Sequence, residues 1–237
     1  MKTSIDRIWA QEILDSRGNP TVHASVILTG GETASASVPS GASVGRREAL
    51  ELRDKDRSRF IGEGVLKAVS NIHTILSPGL VGLDVLDQRK IDETMCELDG
   101  TPDKANLGAN AILAVSLAAA RAAAAMERVP LYAYIRRLCD IAEQEIYTLP
   151  VPMINVLNGG QHTNNGLEFQ EFMLYPHGAS SFQEALRFST QYSGEGIDEQ
   201  FERKETGQAV RRRLNEFCKV VVVREQRASK HLCSSEM

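Results

Sequence analysis

Three short stretches of the sequence carry side chains suited to chemistry, and the first is a loop of small residues. Residues 40–45 read Ser-Gly-Ala-Ser-Val-Gly and follow a strand-like segment. Free backbone N–H groups and hydroxyls in such a loop can cradle a phosphate or ligate a cation. The Gly-Lys-Ser/Thr of a Walker loop is missing. Taken alone, this composition is more often a plain turn than a ligand loop.

The second stretch places a histidine on a glycine-rich loop. His162 follows Gly159, Gly160 and Gln161 at the end of a short apolar run, and the loops at strand ends are where barrel enzymes build their sites. A histidine there can contact a phosphate or act as a general acid. An isolated loop histidine is more often inert, so the motif alone leaves both interpretations open.

The third stretch is the pair Gln170 and Glu171 within a strand-like run, 169–175. A regular strand sends neighbouring side chains to opposite faces, so only one of the two would face a given pocket unless the backbone is irregular. The alternative is that Glu171 is a solvent-facing strand carboxylate.

The elements that must position these residues begin with an antiparallel meander. Thr21, His23 and Ser25 alternate with apolar neighbours, which is the period of a half-buried strand. Residues 15–20 supply turn chemistry between two strands, and Asp15, Arg17 and Asn19 are interpreted as fixing that turn. Residues 32–38 return as a third strand.

Helices follow the meander. Apolar residues recur on one helical face from 65 to 76, and 78–82 ends that run. Two more helices are predicted over 85–98 and 109–126. The second is largely alanine, with an arginine inside, so it is interpreted as a buried helix of a soluble protein and not as a membrane span.

The prolines around 149–152 mark a domain boundary. After it come strand-like runs at 153–157 and 169–175, then a helix from 182 to 188 capped by Ser180 or Ser181. This order is how an α/β or barrel domain can begin. Beyond residue 190 the apolar periodicity mostly vanishes, apart from 220–223, which predicts a disordered tail.

Charge and cysteine content indicate which classes of partner and which cellular compartment to expect. The 237 residues hold 27 Lys and Arg against 31 Asp and Glu, a net charge of −4. Even the basic cluster 211–213 lies among acidic residues, so no nucleic-acid partner is expected. The four cysteines are far apart, which predicts reduced thiols and a cytoplasmic protein.

Taken together, these pieces resemble the enolase (phosphopyruvate hydratase) family. The resemblance runs from about residue 5 to residue 189. It is carried by eight stretches in the family's order and spacing: 14–22 (LDSRGNPTV), 38–43 (VPSGAS), 48–54 (EALELRD), 98–101 (LDGT), 106–113 (NLGANAIL), 150–155 (PVPMIN), 158–160 (NGG) and 170–173 (QEFM).

The resemblance implies a fold and an activity. The expected fold is an α+β N-terminal domain, with an antiparallel meander followed by helices, joined to the start of an incomplete α/β barrel. The domains would be 1–142, 143–190 and the non-matching tail 191–237. Family members dehydrate 2-phosphoglycerate to phosphoenolpyruvate in glycolysis with two Mg²⁺ ions, because the charge of the enediolate must be held by metal.

The resemblance also implies residue roles. Ser43 corresponds to a loop serine that ligates magnesium, and His162 to a histidine that reaches the substrate. Gln170 and Glu171 correspond to strand residues at the substrate, with Glu171 and His162 in the acid/base machinery. Arg17 lies where family members make subunit contacts, which implies a homodimer.

The sequence departs from the family mildly at Val44 and Lys55 and strongly after Thr190. The Gly-Asp-Glu-Gly-Gly stretch that carries the proton-donating glutamate is not found there, nor are the acidic metal ligands, the base lysine and the phosphate-binding Arg-Ser. A (β/α)₈ barrel needs about 250 residues. This predicts a truncated chain that is inactive alone. Two alternatives are a non-catalytic binding or dimerisation module, and a related superfamily member with another substrate.

Overall fold

The computed structural model describes residues 2–40, 45, 48–142, 146–158, 169–193 and 219–224. The chain divides into two compact units, Met1–Glu145 and Ile146–Met237.

The first unit opens with the expected antiparallel meander. Strands β1 (Ile5–Leu14), β2 (Pro20–Leu28) and β3 (Thr33–Ser37) pair in the order β1-β2-β3. The Asp15 carboxylate accepts hydrogen bonds from the backbone N–H groups of Arg17 and Asn19, both at 2.8 Å, and so fixes the turn between β1 and β2. The prediction of three strands around this turn is confirmed.

One face of the sheet is buried against a long helix. Val22, Ala24 and Val26 are fully buried on β2, and helix α4 (Ala109–Met126) packs against β2 and β3. Its alanines let the helix approach the sheet closely because they add little volume. Alanine also has the highest helix propensity. By length and composition α4 is also the one helix among the described residues that could cross a membrane, yet about half of it (56%) is buried inside the protein.

A continuous helical stretch covers the open edge of β1. It consists of α1 (Leu66–Asn71), a π-helical turn (Ile72–Leu76) and α2 (Ser77–Leu80), and it ends within 78–82 as predicted. The hydroxyl of Ser77 accepts from the N–H of Ile8 at 3.1 Å, and Nε2 of His73 accepts from the N–H of Ala10 at 3.0 Å. These contacts block pairing of the edge with another chain.

The remaining helices of this unit begin and end at identifiable residues. Helix α3 (Gln88–Asp99) starts three residues later than predicted, because the carboxylate of Asp87 accepts from the N–H of Lys90 at 3.0 Å and caps it. It ends at Gly100, which has a left-handed φ of 73°. Helix α5 (Leu131–Leu138) follows Pro130 and was not foreseen from the sequence.

The second unit is a small antiparallel sheet with one helix. Strands β4 (Ile154–Asn158), β5 (Phe169–Tyr175) and β6 (Lys219–Arg224) lie in the order β4-β5-β6. Helix α6 (Phe182–Ser193) is capped by Ser181, whose hydroxyl accepts from the N–H of Glu184 at 3.1 Å. Both pairings are antiparallel, so the described residues do not show the expected barrel. Strand β6 lies in the segment predicted to be a disordered tail.

Candidate functional site

The described residues include only part of the predicted site. Ser43 and His162 lie outside them. Gln170 and Glu171 lie on β5, the strand expected from the sequence, and Glu171 is half-buried opposite Asn158 of β4 and Val223 of β6.

The backbone near this pair is irregular. The pairing of β5 with β6 shifts register between Phe169 and Glu171. A shift of this kind adds a residue to one strand and changes the direction of nearby side chains. The regular strand on which the expected alternation depends is therefore interrupted at this pair.

An arginine joins the two described flanks of the segment that contains Ser43. Nη2 of Arg53 donates to the hydroxyl of Ser40 at 3.0 Å and to Oε2 of Glu51 at 2.9 Å. Ser40 precedes the segment and Glu51 follows it. The hydroxyl of Ser40 also donates to Glu51 at 3.2 Å, so the three side chains close a small ring of hydrogen bonds.

The other nitrogen of the same guanidinium binds the backbone. Nη1 of Arg53 donates to the carbonyl oxygens of Pro20 at 2.7 Å and Glu63 at 2.8 Å. Four acceptors from four parts of the chain therefore hold one planar group, which is the geometry that arginine supports and lysine does not. The Arg53 side chain is largely buried, at 14% exposure, and its bond to the carbonyl of Glu63 lies at the exposed side of the group.

The segment after the loop is fastened to the start of α4. Asn110, which is buried, accepts from the N–H of Leu52 and donates to its carbonyl oxygen, both at 3.1 Å. The N–H of Leu50 donates to the carbonyl of Asp103 at 2.7 Å, and the N–H of Ala109 donates to the carbonyl of Leu50 at 2.8 Å. Asp103 and the first residues of α4 thus hold residues 50–52 as a partner strand would.

A buried carboxylate shapes the turn that leads into α4. Asp99 is 2% exposed and accepts from the backbone N–H of Leu107 at 2.7 Å and of Thr101 at 3.0 Å, and from the Thr101 hydroxyl. Burial by itself raises the pKa of Asp99, but these hydrogen bonds together lower it below the ordinary 3.8. Asp99 is therefore a charged structural anchor.

The contacts of Arg53 and Asn110 lie at an open cleft of about 730 Å³ in the first unit. Its lining combines the flanks of the loop with the start of α4, and includes Ser40, Glu48, Arg53, Glu63 and Asn110. Among the residues that the structure describes, no three His, Cys, Asp or Glu side chains are grouped so as to hold a metal ion. The described residues therefore do not fit a magnesium cage on their own.

Sequence reasoning did not identify the roles of Arg53, Asn110 and Asp99. All three occur in the stretches that carry the resemblance, at 48–54, 98–101 and 106–113. A buried polar residue among apolar neighbours, such as Asn110 in an alanine-rich helix, was the available signal, since such residues need hydrogen-bond partners.

Comparison with known proteins shows the family to which the chain belongs. A family model described as "Enolase, N-terminal domain" matches residues 5–135, more than half of the chain, and one described as "Enolase, C-terminal TIM barrel domain" matches residues 146–206. Both halves of the match are thus domains of one class of enzyme, a lyase. The chain belongs to the enolase family, as the sequence motifs indicated.

A curated relative is similar over most of this chain. The enolase of Malacoplasma penetrans (strain HF-2) is 56% identical over 190 residues, which make up 80% of this chain and 42% of that enolase. This chain therefore spans less than half the length of that relative.

Proposed function

We propose that the chain contributes the N-terminal domain and the first barrel strands of an enzyme that dehydrates 2-phosphoglycerate to phosphoenolpyruvate. Family membership supports this proposal, and the observation that carries it is the anchoring of the loop flanks. Arg53 binds Ser40 before the loop, and Asn110 binds Leu52 after it. A loop that must present Ser43 reproducibly needs such fixed ends.

The proposed roles follow the resemblance. Ser43 is the magnesium ligand, His162 and Glu171 take part in catalysis, and Gln170 contacts the substrate together with them. Magnesium is the proposed cofactor, and its chemistry is to hold the negative charge that develops on the substrate. The described residues do not form a metal cage by themselves.

We further propose three segments: an N-terminal domain over 1–142, the start of a barrel domain over 143–190, and a tail over 191–237. The division of the chain between Glu145 and Ile146 supports the first boundary. The match to the barrel family model extends to residue 206, beyond the second. A cytoplasmic location is proposed from the family and from the widely spaced cysteines.

The 237-residue chain alone is expected to show no turnover. It lacks a recognisable Gly-Asp-Glu-Gly-Gly stretch and the other acidic metal ligands, and catalysis of this step requires them together. The measurement is phosphoenolpyruvate absorbance with purified chain, Mg²⁺ and 2-phosphoglycerate, with the Malacoplasma enolase as positive control. Turnover near that of the control would contradict the expectation.

A chimera tests the proposed function itself. Residues 5–189 would replace the corresponding segment of the Malacoplasma enolase, and this protein is expected to be active. His162→Ala in the chimera should lower kcat/KM by about 100-fold, the usual contribution of one acid/base group. His177→Ala is the matched control, because His177 is exposed after β5. Equal activity of both variants would remove His162 from the mechanism.

We also propose that the chain forms a homodimer through the outer face of its first sheet. Val22 and Val26 face the core, so Trp9 and its partner Ser25 lie on the opposite face. Trp9 is 47% exposed, and the exposed Arg17 follows at the next turn. Light scattering should give twice the chain mass for the wild type and a smaller mass for Trp9→Lys. A wild-type monomer at high concentration would exclude the dimer.

A further inference from the structure

Without β6, one edge of strand β5 would be free. It pairs with β4 along one edge, from Ile154 opposite Leu174 to Asn158 opposite Glu171. Its other edge pairs with β6, from Tyr175 opposite Lys219 to Phe169 opposite Arg224. Among the residues that the structure describes, β5 is therefore the central strand of the second sheet.

The strand that fills this edge comes from outside the family match. The match to the barrel family model ends at residue 206, whereas β6 spans Lys219–Arg224. Its four consecutive valines, 220–223, have the highest tendency to form strands, and a charged residue stands at each end. This segment therefore lies outside the region that matches the family.

We propose that residues 219–224 act as a built-in edge strand that closes the exposed side of β5 within the same chain. The proposal concerns the assembly of the second unit and does not depend on the catalytic function. The register shows which residues cover this edge of β5: each residue from Lys219 to Val223 has a partner on β5.

The physical reason is that β5 and β6 can each associate with other chains when they are unpaired. A free strand edge offers unpaired N–H and C=O groups to other chains. Four consecutive valines also have a strong tendency to pair with other strands, and only Lys219 and Arg224 at the ends oppose this by their charge. A two-stranded sheet is only marginally stable in water, whereas a third strand adds a second ladder of hydrogen bonds. Pairing β6 with β5 covers the free edge of β5 and one edge of β6, and the other edge of β6 becomes the outer edge of the sheet.

Lys219 at one end of β6 opposes one of the two possible slips of the strand. Uniform valines would tolerate a slip by one residue, since every position has the same side chain. A slip in one direction would carry Lys219 to the position opposite Leu174, which is apolar and buried. A slip in the other direction would carry Arg224 opposite Glu171, a pair of opposite charges, so the charges do not oppose that slip.

The test replaces Val221 and Val222 by proline in the full chain. Consecutive prolines remove an N–H from each edge of β6, so at least one bond to β5 is lost. Amide hydrogen exchange of the peptide 169–175 should become at least about tenfold faster, and light scattering should show new self-association. Exchange of the peptide 20–28 in the first unit should stay unchanged, which shows that the variant still folds.

The matched control is V221T/V222T, which keeps the backbone N–H groups and the strand propensity. It should retain the protection of 169–175. Unchanged protection in the double-proline variant would overturn the proposal, and so would equal loss in the threonine control. Protection of 169–175 that rises with protein concentration would also overturn it, because β6 would then be supplied by another copy.

Discussion

Replacing Gly108 with alanine is expected to destabilise the first unit by about 3 kcal/mol. Gly108 has a φ of +95°, in the region that residues with a Cβ atom disfavour. An added Cβ would also lie 2.5 Å from Cβ of Leu52 and 2.6 Å from Oδ1 of Asn110. The substitution therefore combines backbone strain with a clash at the contact that fastens residues 50–52 to α4.

Gly82→Ala separates these two effects. Gly82 has a similar φ of +88°, but an added Cβ would meet no atom within 4 Å. It should cost only the strain of about 1 kcal/mol. Urea unfolding followed by fluorescence is the measurement, because the sequence has a single tryptophan and it lies on β1. Equal losses of unfolding free energy would refute the close approach of Leu52.

Local patterns predicted the elements of the first unit well. The alternation on β2 and the alanine-rich run of α4 are properties of neighbouring residues, and the structure confirms both. The turn at Asp15 also depends only on residues within four positions. Such features can be inferred from one sequence because the interactions that produce them are short in range.

The interactions that anchor the candidate site are not local. Arg53 contacts the carbonyl of Pro20, 33 residues away, and Asn110 contacts Leu52, 58 residues away. The helix that covers β1 reaches it through His73 and Ala10, 63 residues apart. No spacing rule links such pairs, so their roles become visible only in three dimensions.

The same limit applies to the second unit. The valine run 220–223 stood out in the sequence, but its partner is β5, on the far side of α6 in the chain. The composition of the surrounding segment predicts a disordered tail. Strand pairing across a long connection leaves no periodic signal in the sequence that would indicate otherwise. The proposed roles of Ser43 and His162 depend on the resemblance alone, because neither residue is among those the structure describes.

Asp99→Asn is the second substitution expected to have a large effect, a loss of about 2 kcal/mol of unfolding free energy at pH 7. The buried carboxylate accepts from Leu107 and Thr101, and hydrogen bonds to a charged group contribute more than neutral ones. An asparagine retains one acceptor oxygen, but its NH₂ group would face a donor. Urea unfolding at pH 7 measures the loss.

The cost of this substitution should depend on pH with a defined sign. Because the folded pKa of Asp99 lies below 3.8, its carboxylate stabilises the fold fully above the unfolded value, and this contribution is lost as the pH falls through the folded pKa. The difference in unfolding free energy between wild type and Asp99→Asn should therefore shrink in strong acid.

Asp56→Asn is the control. The hydroxyl of Ser58 lowers the pKa of Asp56, but this carboxyl is exposed. It contributes little to stability, since water can replace its partner. A difference between wild type and Asp99→Asn that stays constant from pH 7 into strong acid would show that Asp99 anchors the turn without its charge.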